Sequence, residues 1–127
     1  MNMQPQSAPA EVNDGAIVAK AVLRAADRLG ISGKLLGHVL GLSEASVSRL
    51  KRAELTLGAG DKSFELALLF IRLFRSLDAI TGGDEAVARA WLRNPNTALG
   101  DTPIDKIITI SGLIDVLGYL DARRALL

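Results

Sequence analysis

Residues 62–80, KSFELALLFIRLFRSLDAI, constrain the fold more than any other stretch of this chain. Phe64, Ala67, Leu68, Ile71 and Phe74 recur at helical spacing on one face, and Leu66, Phe70, Leu73 and Leu77 on another. What remains polar is a narrow strip of Glu65, Arg72 and Ser76, with Leu69 in its middle. A helix this apolar is either central to its fold or shared with a second subunit, and stranded Leu69 is the candidate self-association contact. A chain of 127 residues suits one compact unit or two very small ones. Five residues are Phe, Trp or Tyr, so the core is built mostly from Leu, Ile, Val and Ala.

The other segments also read as helices. Residues 1–13 carry no period and are expected to form a mobile tail. Asn13 or Asp14 can cap a helix carrying Val18, Ala21, Val22, Ala25 and Leu29, which Gly30 stops. A short helix over 32–40 follows, then a Gly41-Leu42-Ser43 turn and a helix from Ser43 to about Arg52. Residues 55–61 form a loop. Gly82-Gly83 ends the long helix. The next helix, 84–93, has Val87 and Trp91 four apart and ends before Pro95. Thr102 can cap a helix that starts at Pro103, and Gly112 divides it from a last helix over 113–125. No segment alternates like a strand, so the fold class is all-α with about seven helices.

Composition removes several functions. Without Cys there is no disulfide, thiolate metal site or Cys nucleophile, which fits a reducing cytoplasm. His38 is the single His, so no metal site is expected. The loop Gly58-Ala59-Gly60-Asp61-Lys62-Ser63 lacks the order of a phosphate loop and has no strand before it. Asp101 and Asp105 are explained by a helix start. No nucleophile, base and oxyanion donor assemble, so no catalytic residue, enzyme activity or cofactor is expected. The apolar run from Leu66 to Ile71 is too short for a membrane span and no signal peptide is visible, so a soluble cytoplasmic protein is expected.

Charge is unevenly spread. Net charge is +1, yet residues 20–52 carry seven Lys or Arg against two acids. Within that block lies Leu36-Gly37-His38-Val39-Leu40-Gly41-Leu42-Ser43-Glu44-Ala45-Ser46-Val47-Ser48-Arg49-Leu50, which reads as a helix-turn-helix. Gly37 is small where the helices approach, Gly41 allows the tight turn, and Leu36, Leu40, Leu42, Val47 and Leu50 lock the pair. Ser43, Glu44, Ser46 and Arg49 are then left to meet base edges in a major groove of double-stranded DNA. Lys34, Lys51 and Arg52, with the Lys20, Arg24 and Arg28 ridge, are the phosphate contacts. The competing reading is an ordinary helical hairpin with a solvated basic face.

The second signal is Ala88-Arg89-Ala90-Trp91-Leu92-Arg93-Asn94-Pro95-Asn96-Thr97-Ala98-Leu99-Gly100-Asp101-Thr102-Pro103, followed by Gly112-Leu113-Ile114-Asp115-Val116-Leu117. Trp91 reads as a core residue beside a rigid corner. Leu126-Leu127, after Arg123 and Arg124, is either a frayed end or a plug for a partner.

Together the two signals resemble the Xre/MbcA/ParS antitoxins over residues 14–125. The resemblance implies an Xre-type helix-turn-helix DNA-binding domain over 14–73 and a small helical toxin-binding domain over 74–127. It implies a partner toxin of the RES-domain type, which consumes NAD or transfers ADP-ribose. The antitoxin covers the toxin's active-site entrance and represses its own promoter, as a homodimer and in a higher-order complex with the toxin. Tyr119, Arg123, Arg124, Leu126 and Leu127 are the candidate toxin contacts. Family helix-turn-helix segments often start with Gln, a phosphate contact; here Gly33 stands there, with Lys34 after it. The alternatives are a stand-alone repressor sensing a ligand or partner through its C-terminal half, and an interaction module that does not bind DNA.

Overall fold

A computed structural model of the chain describes residues 7–127, with side chains from Asp14 onward. Seven helices follow one another among the described residues: α1 (Ser7–Arg28), α2 (Gly33–Leu40), α3 (Glu44–Lys51), α4 (Lys62–Ile80), α5 (Glu85–Arg93), α6 (Pro103–Lys106) and α7 (Ile110–Arg124). No strand occurs among them; the one β-bridge joins Asn96 and Asp101.

The first helix starts earlier than the sequence predicts. Residues 1–6 of the expected tail lie outside the described residues, but 7–13 are helical. Ala8, Ala10 and Glu11 favour helix, and Pro9 sits in the first turn, where its missing N–H would have had no intrahelical partner. Asn13 and Asp14 therefore fall inside α1 instead of capping it. Gly15 is buried, because a Cβ there would stand 2.2 Å from the Leu57 carbonyl oxygen, which crosses it from the 55–61 loop.

The long helix α4 is central. It packs against α7, α1 and α2, and buries Leu66, Ala67, Phe70, Leu73 and Leu77. One continuous core joins Val22, Leu29 and Leu36 to Leu92, Ile107 and Leu113. The expected division at residues 73 and 74 falls within α4, at a point where Leu73 is fully buried.

One expected helix boundary moves, and one expected cap makes no side-chain bond. Gly112 lies inside α7, and the break before it spans Ile107–Thr109, where Thr109 caps α7 by accepting from the Gly112 N–H at 3.1 Å. Gly112 is required by a close approach: a Cβ would overlap the Lys106 carbonyl at 1.9 Å. Thr102 stands at the start of α6 but its side chain makes no capping bond. Asp101 instead accepts from the Thr102 N–H at 2.7 Å.

Candidate functional site

The helix-turn-helix is assembled by short-range bonds. Ser32 Oγ caps α2 by accepting from the Leu35 N–H at 3.1 Å. Gly41 ends it in the left-handed region, at φ 69°, where a side chain would be strained. The Leu42 N–H returns to the Gly37 carbonyl at 2.8 Å, and a Cβ on Gly37 would lie 2.6 Å from the Leu42 oxygen. Gly37 thus admits the turn's backbone.

Ser43 Oγ accepts from the Ser46 N–H at 3.1 Å and donates to Ser46 Oγ at 3.0 Å, which leaves the Ser46 hydroxyl hydrogen free. Val47 and Leu50 are buried, while Ser43, Glu44 and Arg49 are exposed and Ser46 is half-buried. All four predicted base-reading residues therefore reach the surface of α3.

The predicted phosphate contacts divide. Lys20, Arg24 and Lys34 are exposed. Lys51 Nζ stands 3.2 Å from where a Gly33 Cβ would be, so glycine at the start of α2 makes room for a cation from the end of α3. Arg52 Nε is 3.1 Å from Glu54, and Arg28 Nε is 3.9 Å from Glu85, so both carry a carboxylate beside them.

At the other end, Trp91 packs against the core as expected, but at its margin and half-buried. Ala88 and Leu92 hold the core face of α5, Val87 is half exposed, and Trp91 is half-buried. The helical spacing puts Trp91 one step off the Ala88–Leu92 stripe. Its ring stacks on Tyr119, with centroids 6.0 Å apart and planes 22° apart. The Arg123 guanidinium lies 5.7 Å from the Tyr119 centroid. The loop after α5 is pinned where Asn96 Oδ1 accepts from the Leu99 N–H at 3.1 Å and the Asn96 N–H donates to the Asp101 carbonyl at 3.1 Å. Trp91 and Tyr119 wall a surface pocket of about 350 Å³ with Asn94 and Thr97.

Tyr119 and Arg123 stay together, but Arg124 turns toward α4, where its Nη1 is 3.4 Å from Ser76 Oγ. Leu126 and Leu127 are 82% and 78% exposed. Ser76, expected in a polar strip, is fully buried and donates to Asp121 Oδ1 at 3.0 Å; Arg72 bonds the other Asp121 oxygen at 2.5 Å. Leu69, expected to be stranded at the surface, is half-buried against the core. The exposed residue is Leu68, which lines a groove of about 400 Å³ with Ile17, Ala21 and Ile71.

The residue periodicity gave no sign of one further tie. Arg89 Nε donates to the Arg28 carbonyl at 2.8 Å and its Nη2 to the Asp27 carbonyl at 3.2 Å. Arg93 Nη2 donates to the Gly30 carbonyl at 2.9 Å. Arg89 therefore caps the Arg28 carbonyl at the C-terminal end of α1 and adds to the Asp27 carbonyl, which also accepts from the Gly30 N–H, while Arg93 holds the turn that follows. His38 is exposed, and among the described residues no cluster of His, Asp or Glu fits a metal ion. Among the described residues no helix is long and apolar enough to cross a membrane.

Comparison with known families gives two matches. The family described as "Antitoxin Xre-like helix-turn-helix domain" matches residues 8–72. The family described as "Antitoxin Xre/MbcA/ParS C-terminal toxin-binding domain" matches residues 76–125. No curated protein matches the chain.

Proposed function

This chain belongs to the Xre-like antitoxins, with a helix-turn-helix of the DNA-binding kind and a toxin-binding domain, and from that premise we propose that its toxin is of the RES-domain type. It neutralises that toxin by covering the active-site entrance, and as a dimer it represses its own operon. The carrying observation is that both family matches fall on one continuous fold whose α3 surface, with Ser43, Glu44, Ser46 and Arg49, is turned outward.

In this reading Arg49 pairs with a guanine edge, and Ser43, Glu44 and Ser46 contact neighbouring bases. Lys34 and Lys51 hold phosphates at the start of α2 and the end of α3, and Lys20 and Arg24 extend that track along α1. Arg28 and Arg52 contribute less, because Glu85 and Glu54 stand beside them. Tyr119 and Arg123, with Leu126 and Leu127, cover the toxin's entrance. Arg124 is held toward Ser76 and supports α7 from behind. The homodimer contact belongs to the Leu68 groove in place of Leu69.

Co-expression with the RES-domain protein encoded beside this chain tests the toxin. Rescue of growth is the expected result, and no rescue by full-length chain overturns the reading. The lack of such a neighbouring frame would favour the stand-alone repressor. On promoter DNA, Arg49→Ala should weaken specific binding by roughly 10- to 100-fold, as expected for one bidentate base contact. Lys51→Ala should weaken binding to all sequences alike and reduce the salt slope by about one.

A further inference from the structure

We propose that one flank of α7, the stripe Ile110, Ile114 and Gly118 with Ile108 at its foot, is the surface on which the toxin docks, distinct from the Tyr119 and Arg123 flank that covers its entrance. The inference rests on the antitoxin reading above.

Within residues 76–125, the part matched as toxin-binding, the exposed large apolar side chains are Val87, Ile108, Ile110 and Ile114. Three of these four lie within seven residues of one another. Ile108 is 44%, Ile110 48% and Ile114 47% exposed. A contiguous exposed apolar patch marks a place where a protein partner removes surface from water. Ile108 and Ile110 also wall a cleft of about 540 Å³ with Leu42 and Leu66, so the patch borders a concave surface.

Helix geometry extends the patch. Positions 110, 114 and 118 follow at intervals of four and form one row. The core face of α7 is Leu113, Val116, Leu117 and Leu120. Tyr119 and Arg123 sit on the opposite flank, 100° per residue around the axis.

Gly118 is the independent observation. Glycine weakens a helix interior relative to alanine. Gly112, in the same helix, is forced by the Lys106 carbonyl, but a Cβ on Gly118 would meet nothing within 4 Å and its φ is not positive. The fold of the described residues makes no demand for glycine there. A missing side chain at the end of an isoleucine row is what lets a partner's backbone approach the helix closely. The occupant is therefore an apolar segment of the toxin that packs tightly against α7. The separate apolar groove around Ile17 and Leu68 lies in the part matched as helix-turn-helix and is bordered by Arg72, Arg75 and Arg124. It has a different charge character and belongs to a different contact.

The test measures the affinity of the full-length chain for the purified neighbouring RES-domain protein, with promoter binding, thermal melting and light scattering as controls. Ile114→Lys and Gly118→Trp should each weaken toxin binding by at least about 30-fold, the level of a hot-spot loss. Promoter binding by the free antitoxin should stay within about twofold. Gly118→Ala should melt higher than the parent and bind the toxin less well, which separates a helix requirement from a partner requirement. Wild-type affinity in Ile114→Lys and Gly118→Trp, with the parent binding measurably, overturns the inference alone. Loss of self-association in those variants with toxin binding intact assigns the stripe to a second copy and also overturns it. A parent chain that fails to bind the toxin overturns the proposed function and the inference with it.

Discussion

In the helix-turn-helix, the side-chain bonds that fix the helix ends span three residues: Ser32 to Leu35 and Ser43 to Ser46. The corner that carries α5 and α7 has local caps as well, Asp84 to Val87 and Thr109 to Gly112, but it adds long bonds. Arg89 and Arg93 reach carbonyls 61 to 63 residues earlier, and Asp121 is tied to Arg72 and Ser76, 49 and 45 residues earlier. The first region carries its own instructions. The second also draws on α1 and α4, because its long ties end on them.

The sharpest way to break this contrast is through the shared core. Phe70 is fully buried in α4, and Phe70→Ala should cost about 3–5 kcal/mol. Thermal melting followed by far-UV dichroism should show one transition, shifted down. Two separate transitions would mean that the two regions fold independently. Next in size is Gly112→Ala, which drives a methyl group into the Lys106 carbonyl and should cost about 2–3 kcal/mol. Hydrogen exchange should then rise in α6 and α7 while α2 and α3 keep their protection.

Smaller changes compare single polar ties. Ser76→Ala removes a fully buried donor from Asp121 and should destabilise by about 1–2 kcal/mol in urea unfolding. Ser43→Ala removes a local cap and should cost about 1 kcal/mol, with exchange raised first in α3. The smallest expected effect has the opposite sign. Ala53 follows α3 at φ 58°, a conformation unfavourable to a residue with a Cβ, and Glu54 N–H closes back to the Arg49 carbonyl. Ala53→Gly should stabilise by about 0.5–1 kcal/mol, less the backbone entropy that glycine adds to the unfolded chain.

The same contrast explains what the sequence makes legible. Gly37, Gly41 and Ser43 act on neighbours within a few positions, so spacing alone places the turn and the outward face of α3. The corner defeats such reasoning. Nothing in the residues around Arg89 says that its guanidinium ends α1, and nothing around Ser76 says that α7 will bury it. Trp91 is legible only in part for the same reason: its place against the core is expected, but its stacking on Tyr119 at 6.0 Å exists only in the tertiary fold. Leu68 and Leu69 exchange places because a helix apolar on most sides gives a periodicity too broad to fix its rotation to one residue.

The position of α4 has a consequence for protein engineering. The two family matches leave residues 73–75 between them, a natural place to splice halves of related antitoxins into a chimaera. Here that splice would cut a continuous helix at Leu73, with Phe70 and Leu77 fully buried on either side. A graft at Gly82-Gly83 keeps the helix whole, since both glycines already adopt positive φ in the turn after α4. It must also carry partners for Arg89 and Arg93, because the transplanted half would arrive with two guanidinium groups shaped to the end of α1. Specificity in such a protein is therefore inherited with the strut that supports it, and recombination has to respect the strut.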